Sequence, residues 1–201
     1  MLKPLIIFVI LTLFFAAVGD RAWMGLFLIL AVATAIVGMV GSSRRPESEK
    51  SVETLLKRDH QQFKELLARV DATAHRDQHL RRNFFNWLAE DVRRHTHAEE
   101  KTVYARLYAN PETLKIAAES AEDHRTISDL LDKLDQLPLQ DQEWLPIFRV
   151  FKARLLQHIR HEERQLFRQM RDVLSMKERI ALAVDFRDAK ADFEMKKLAV
   201  A

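Results

Sequence analysis

The 201-residue sequence contains no cysteine, which excludes disulfides, cysteine-ligated zinc, iron–sulfur clusters and thiol catalysis. Glycine and proline are also scarce, with four and five residues. So few breaking residues over long periodic stretches favour helices joined by short turns. The net charge of +3 arises from interspersed acidic and basic residues, without the basic block that is typical of nucleic-acid binding. The composition therefore predicts a helical protein with no nucleic-acid partner.

Charge is almost absent from the N-terminal part of the chain. Two uncharged runs, 4–19 and 22–41, are separated by the charged pair Asp20-Arg21. The second run has the length of about 20 residues that a bilayer-spanning helix needs, and the first is near the short limit. Because backbone groups in lipid must be paired internally, both runs are predicted to be helical. Residues 1–45 are therefore predicted to form a transmembrane hairpin.

The flanking charges predict the orientation of this hairpin. Lys3 precedes it and Arg44-Arg45 follow it, whereas only Arg21 lies in the turn, so the positive-inside rule places both ends in the cytoplasm. An alternative is that the first run is a cleaved signal peptide and the second a stop-transfer segment, which gives the same location. The sequence thus predicts a two-pass protein of a bacterial-type inner membrane with its soluble part in the cytoplasm.

The remainder of the chain carries apolar residues at steps of three and four, which is the period of amphipathic helices. Ser175-x-x-Glu178 fits a capping box and predicts that a last helix starts there. Three regions are predicted: the hairpin over 1–45, a helical bundle over 46–175 and a C-terminal helix over 176–201. Within the bundle four helices are predicted, near 51–70, near 74–108, after Asn110-Pro111 and after the candidate cap Asp141.

The bundle sequence contains a twofold repeat. The segment DHQQFKELL, which begins at Asp59, matches DHRTISDLL, which begins at Asp123. A His-x-x-x-Glu-Glu pattern begins at His95 and again at His158, so its two copies are separated by nearly the same distance along the chain. The first two helices therefore correspond to the third and fourth. The predicted fold is all-α: an up-down four-helix bundle with approximate twofold symmetry, followed by a fifth helix and preceded by two transmembrane helices.

Six polar residues fall on the apolar stripes of these four helices. Residues four apart share one helix face, so each His-x-x-x-Glu pair points inward. Burying even one unpaired carboxylate costs several kcal/mol, and a metal removes this cost by taking imidazole and carboxylate ligands. A single His on a stripe is more often a hydrogen-bonded core residue, but two copies in register favour metal binding. The candidate metal ligands are His60, His95, Glu99, His124, His158 and Glu162.

Six ligands exceed what one tetrahedral zinc needs and suit two ions bridged by Glu99 and Glu162. Two iron ions are predicted, ahead of manganese or zinc, with open positions for a small diatomic ligand or oxidant such as O2, NO or peroxide. Glu100 and Glu163 are rotated by about 100° from the ligand face. They are expected to form surface ion pairs with Lys or Arg.

The sequence from about residue 49 to 171 resembles the hemerythrin-like, or HHE, cation-binding domains. The segments HTHAEEKTVYARL and HIRHEERQLFRQM match the His-x-x-x-Glu-Glu motif of that family and the aromatic that follows it. The resemblance implies a four-helix bundle with a non-haem di-iron centre bridged by two carboxylates and an oxo or hydroxo group. Ser128 stands where oxygen-carrying members have a further His, so the chain is similar to the four-His branch, which includes proteins that repair iron centres.

The function expected from the sequence is a membrane-anchored di-iron protein that binds or senses O2, NO or a related oxidant at the cytoplasmic face. Alternatives are an iron donor or repair protein, an oxidoreductase that turns over peroxide or NO, and a metal-free bundle that anchors partners. The pattern supplies no dedicated acid, nucleophile or substrate pocket, so binding or sensing ranks above enzymatic turnover. It does not specify a protein partner.

Overall fold

The computed structural model describes residues 50–73 and 77–200, and these residues form five helices. Two of the helices are interrupted by a π-helical turn. The helices are α1 (Val52–Ala72), α2 (Gln78–Glu99, the π turn Glu100–Tyr104 and Ala105–Tyr108), α3 (Leu114–Gln136), α4 (Trp144–His161, the π turn Glu162–Leu166 and Phe167–Val173) and α5 (Met176–Val200). The prediction of an all-α fold with five helices after the N-terminal region is confirmed.

The predicted transmembrane hairpin, residues 1–45, lies outside the described residues. Within the two ranges that are described, no helix is long and apolar enough to cross a bilayer.

The first four helices pack in the order that the sequence repeat predicts. Helix α1 packs along α2 and α3 packs along α4, while contacts of α1 with α4 and of α2 with α3 close the bundle. Helix α5 then packs against α1 and α2. The bundle therefore has two equivalent halves, α1–α2 and α3–α4, and one additional helix on the first half.

Two apolar clusters form the core, one toward each end of the bundle. One contains Phe63, Phe85 and Trp144, and the other contains Leu56 and Phe167, all of them almost fully buried. Burying a large apolar side chain contributes about 1.5–3 kcal/mol, so these clusters supply the main stabilisation of the fold. Along each of the four bundle helices, the predicted ligand residues lie between the two clusters.

Near the start of α2, apolar spacing in the sequence predicts that Leu80 and Phe84 face the core together with Leu88 and Val92, but the structure buries a different face. Leu80 is 45% exposed and Phe84 is only partly buried, whereas Arg81 and Phe85 are buried. The Arg81 guanidinium lies over the Trp144 ring, 5.8 Å from its centroid. A cation over an aromatic face gains electrostatic stabilisation. This contact explains why Arg81 is buried although a charged residue is not expected on the inward face.

The predicted capping box at the start of α5 is confirmed. The backbone N–H of Glu178 donates to the Ser175 hydroxyl over 3.3 Å, and the backbone N–H of Ser175 donates to the Glu178 carboxylate over 2.8 Å. Asp141, predicted as a cap, instead accepts a hydrogen bond from the backbone N–H of residue 143, and α4 begins at Trp144.

Helix α5 is attached to the bundle by few apolar side chains and several ion pairs. Its buried apolar residues are Leu182, Ala183 and Phe186. Four ion pairs join it to α1 and α2, namely Arg179–Glu53, Glu178–Arg106, Lys190–Asp59 and Glu194–Arg94. The Arg179–Glu53 pair is buried on both sides, so it also fixes the position of α5 relative to α1.

Candidate metal centre

The structure brings all six candidate ligands together in the polar layer between the two apolar clusters. Each of them is at most 3% exposed. They form two overlapping groups whose ligand atoms lie within 4.8 Å of one another: His60, His95, Glu99 and Glu162, and Glu99, His124, His158 and Glu162. Since Glu99 and Glu162 belong to both groups, the arrangement fits two metal ions that share these carboxylates.

Several atoms of this cluster lack the hydrogen bonds that burial demands. In the described part of the chain, no hydrogen-bond partner is found for Nε2 of His60, Nε2 of His95, either oxygen of Glu99 or Oε2 of Glu162. Leaving buried polar atoms unsatisfied costs about 1–3 kcal/mol each, and more for charged groups. Ligation of metal ions would satisfy all of them at once. The donor set therefore fits a di-metal centre.

In the first half of the bundle, each imidazole directs Nε2 toward the centre of the cluster and forms a hydrogen bond with a carboxylate through Nδ1. Nδ1 of His60 lies 3.1 Å from Oε1 of Glu163, and Nδ1 of His95 lies 2.9 Å from Oδ2 of Asp59. Lys64 and Lys190 pair in turn with these two carboxylates, over 3.3 Å and 2.7 Å. Such partners fix the tautomer and orientation of a ligating imidazole and raise its basicity.

The second half places carboxylates at the equivalent positions, although the contact of His158 is longer than a hydrogen bond. Nδ1 of His124 lies 3.0 Å from Oε1 of Glu100, and Nδ1 of His158 lies 3.7 Å from Oδ2 of Asp123. The Asp partner comes from the same half of the bundle, and the Glu partner comes from the other half. The two halves are therefore interlocked at the centre as well as through the shared carboxylates.

The expectation that Glu100 and Glu163 form only surface ion pairs is wrong. Their rotation of about 100° takes them off the metal-facing side, but it brings them to the outer nitrogen of an imidazole on a neighbouring helix. Glu163 pairs with both His60 and Lys64, so the expected Lys partner is present beside an unexpected one. The repeated Glu-Glu pair in both motifs was the sequence signal for this role.

A buried tyrosine completes the centre and was not recognised in the sequence. A π-helical turn, a feature that is frequent at functional sites, begins directly after Glu99 in the first pair and at Glu162 itself in the second. Tyr104, the last residue of the first π turn, donates its hydroxyl hydrogen to Oε1 of Glu162 over 2.6 Å. Its oxygen also lies 3.1 Å from Nε2 of His124. The hydroxyl therefore reaches the ligand atoms themselves.

Comparison with known proteins agrees with this geometry. The hemerythrin HHE cation binding domain family matches residues 51–170, which is more than half of the chain. The chain belongs to this family. The resemblance drawn from the two His-x-x-x-Glu-Glu motifs is thereby confirmed for the bundle.

Two similar proteins place the HHE domain in context. The crystal structure of a hemerythrin HHE cation binding domain-containing protein from Mycobacterium kansasii shares its fold, with a TM-score of 0.65 and 21% identity, over 74% of this chain and 90% of that one. A curated relative from Nostoc sp., described as a DNA nickase, is 24% identical over 168 residues, or 81% of this chain. The chain spans about half of that relative, 46% of its length.

Without metal, His95 and His124 of the HHE centre have raised pKa values and the Glu99 carboxylate has a lowered pKa. Burial opposes charge on His95, but the Glu99 and Asp59 carboxylates outweigh it and raise the pKa of His95 to about 10. Burial likewise opposes charge on His124, and the nearby Glu100 and Glu99 carboxylates raise its pKa to about 9. Burial favours the neutral form of Glu99, yet the two imidazoles hold its pKa well below the usual range. Protons on the imidazoles thus balance the carboxylates until metal replaces them.

Metal binding to this HHE domain should release protons at neutral pH. His95 and His124, and also His60, whose pKa the Glu162 and Glu163 carboxylates raise against burial, must be unprotonated at Nε2 to ligate. We therefore expect at least about two protons per fully loaded chain and an apparent affinity that rises with pH. The measurement is proton release on anaerobic addition of Fe2+ to the metal-free protein, followed with a pH indicator. Release of no protons, or an affinity that falls between about pH 6 and about pH 8, would contradict the protonated state of the metal-free centre.

The same pKa shifts should make the metal-free protein less stable in alkaline solution. Both imidazoles have folded-state pKa values above 6.5, at about 10 and about 9. Their contribution is present below pH 6.5 and is lost as the pH rises through 9 to 10. Thermal unfolding with and without metal across this range would reveal the loss in the metal-free form only.

Proposed function

We propose that this protein is a membrane-anchored di-iron protein that binds or senses O2, NO or a related oxidant at the cytoplasmic face. The observation that carries the proposal is the shared pair of carboxylates between two His pairs. Each metal position is offered four residues, two of them shared with the other position. Iron takes five or six ligands in such sites, so open positions remain for a small molecule.

The donor set supports iron as the resident metal. Imidazole and carboxylate ligands suit iron, manganese and zinc, and the chain has no thiolate to select a softer ion. Six protein ligands are more than a closed tetrahedral zinc site uses. Iron in such a site would supply reversible one-electron chemistry toward O2 or NO, which zinc lacks.

Side chains around the site exclude water, and the Tyr104 hydroxyl provides a proton donor. Aromatic rings surround the imidazoles: Phe63 and Phe186 lie edge-on to His95 at 5.1 and 5.6 Å, and Phe167 stacks on His60 at 6.2 Å. Burial, with the negative charge of Glu162, raises the pKa of Tyr104 well above its ordinary value. Tyr104 therefore stays protonated and offers a hydrogen bond inside an otherwise apolar shell.

The groups that surround the candidate ligands support binding or sensing better than catalytic turnover. The groups around the ligands are carboxylates that hold the imidazoles and rings that exclude water. The Tyr104 hydroxyl is a proton donor, yet its raised pKa makes repeated proton transfer at neutral pH slow. We therefore place catalytic consumption of peroxide or NO, and iron donation, as the alternatives that the experiment must separate.

The reduced protein should give a reversible optical change with NO or O2 and then oxidise quickly to a stable diferric form in air. Ser128, which lies on the open side of His124, supplies no further imidazole ligand there. The measurement is the visible spectrum of the iron-loaded full-length protein under each gas, with peroxide consumption and iron transfer to an apo-acceptor followed in parallel. Long-lived, fully reversible O2 binding in air would contradict the open site. Catalytic loss of peroxide, or transfer of iron, would support an alternative instead.

The membrane location is a separate proposal that depends on residues 1–45. Two uncharged runs flanked by Lys3 and Arg44-Arg45 support a hairpin with both ends in the cytoplasm. A reporter fused after Ala201 should therefore be active only if it functions in the cytoplasm. A reporter that works only in the periplasm serves as the control, and clear activity from it would overturn the topology.

A further inference from the structure

The two halves of the bundle differ at the aromatic residue that follows each His-x-x-x-Glu-Glu motif. When the two motifs are aligned on His95 and His158, Tyr104 in the first corresponds to Phe167 in the second. The Tyr104 ring packs against His124 at 5.0 Å, whereas the Phe167 ring stacks on His60 at 6.2 Å. One metal position therefore has a hydroxyl beside it, and the equivalent place at the other has only a hydrocarbon ring.

The outer surface of the two halves differs as well. When the other repeated segment is aligned on Asp59 and Asp123, Lys64 corresponds to Ser128. Lys64 lies 3.3 Å from the same Glu163 oxygen that contacts Nδ1 of His60, so its ammonium group lies on the outer side of this imidazole. Beside Ser128, between α2, α3 and α5, a cleft of about 340 Å³ reaches His124 and is lined in part by Glu100, Thr96 and Phe193.

Helix α5 adds to this difference, because it packs along α1 and α2, while its Phe193 lines one side of the cleft. Phe186 packs on the His95 ring, and Lys190 binds Asp59, the carboxylate that holds His95. The Asp59 side chain is 16% exposed, whereas Asp123, its counterpart beside His158, is 35% exposed. All four imidazoles are buried, but Lys64 and α5 lie outside the first metal position, whereas a cleft adjoins His124 at the second.

We propose that the two metal positions are unequal: the position of His60 and His95 retains its ion, and the position of His124 and His158 exchanges its ion through the cleft beside Ser128. The inference rests on the proposed di-iron use of the centre. Exchange requires water or a chelating group to reach the metal and displace a protein ligand in steps. The cleft provides that access at His124, while Lys64, Phe167 and α5 deny it at His60 and His95.

Tyr104 contributes to the same inequality through the shared carboxylate. Its hydroxyl donates to Oε1 of Glu162 at 2.6 Å, while Oε2 of Glu162 lies 3.2 Å from Nε2 of His60 and 3.5 Å from Nε2 of His158. A donor bound to a carboxylate oxygen draws electron density from it, so that oxygen is the weaker metal ligand. The weaker oxygen is the one on the His124 side, because Tyr104 also touches Nε2 of His124.

The test is iron release to a coloured ferrous chelator from the full-length protein, loaded anaerobically with Fe2+ in detergent. We expect two phases of equal amplitude whose rates differ roughly tenfold or more, which is the range that outer-sphere groups produce. Ser128→Lys should slow the fast phase by filling the cleft. Tyr104→Phe should also slow it, by freeing Oε1 of Glu162.

Lys64→Ser is the matched control because it opens the other half at the equivalent place. It should speed the slow phase and leave the fast phase unchanged. If two irons per chain leave in a single phase in the unmodified protein, or if Ser128→Lys and Lys64→Ser alter the same phase, the positions are equal and this inference is overturned. If the protein binds no iron at all, the proposed di-iron function fails together with it.

Discussion

Glu162→Gln should reduce bound iron far below the two ions per chain that the two ligand groups can hold. Glu162 is fully buried and belongs to both groups, so one substitution removes a negative charge that both ions share. The amide that replaces it also brings two N–H donors into a site whose neighbouring atoms are arranged for cations. The measurement is iron per chain after anaerobic reconstitution of the full-length protein.

Glu163→Gln and Glu119→Gln serve as comparisons for this result, with an intermediate effect expected for the first and none for the second. Glu163 touches no ligand atom at the centre but holds Nδ1 of His60, so its loss should weaken iron binding about 10–100-fold at that position while full loading remains possible at high iron. Glu119 is half-exposed in an ion pair with Lys115, and its loss should change nothing measurable in iron content. Equal iron content in Glu162→Gln and Glu119→Gln would show that the shared carboxylates do not ligate.

Removal of helix α5 by ending the chain after Ser175 should destabilise the bundle severely. Leu182 and Phe186 leave the core, and each contributes about 1.5–3 kcal/mol when buried. The remaining part loses the ring that covers His95 and the partner of buried Glu53, whose carboxylate is then left uncompensated. Together these losses approach the whole stability of about 5–15 kcal/mol that is typical of a domain. Helical signal against temperature measures the effect.

A shorter deletion separates the apolar contribution of α5 from its ion pairs. Ending the chain after Arg187 keeps Leu182, Phe186 and the Arg179–Glu53 pair but removes Lys190 and Glu194. Partly exposed ion pairs are worth about 0–1 kcal/mol each, so this form should melt only slightly below the full chain. If both deletions lowered the melting temperature equally, the ion pairs and not the apolar contacts would hold α5 in place.

The inward grouping of the two His-x-x-x-Glu pairs was predictable because it depends only on helical periodicity. His95 and Glu99 are four residues apart, as are His158 and Glu162, so one rule places each pair on one face without knowledge of the neighbouring helices. The internal repeat then predicts that the two pairs meet. The structure places all of these side chains in one buried cluster.

The carboxylates around the ligands were not predictable in the same way. The partner of His60 is Glu163, which lies far away in sequence, and the partner of His124 is Glu100 in the other half. Such pairs depend on how far two helices are rotated toward each other, which a single-helix period does not specify. Tyr104 was missed for a related reason, because a π turn changes the inward face just after Glu99.

The start of α2 shows a third limit of periodicity. A count of apolar residues favours Leu80 and Phe84 as core positions, while the bundle buries Arg81 and Phe85. The stacking of Arg81 on Trp144 requires a residue from α4 that no local pattern can supply. Long-range partners therefore decide which of two adjacent faces is turned inward.

Each half of the bundle supplies a Glu that contacts an imidazole of the other half, and this has a consequence for how the chain folds. A centre whose ligands and their partners come from both halves cannot be completed by α1–α2 or by α3–α4 alone. Bound metal would then act as a cross-link between distant segments and would restrict the unfolded chain as other loop-closing links do. The supply of iron would thus influence how much folded protein accumulates. A shortage of iron would lower the amount of the protein as well as its iron content.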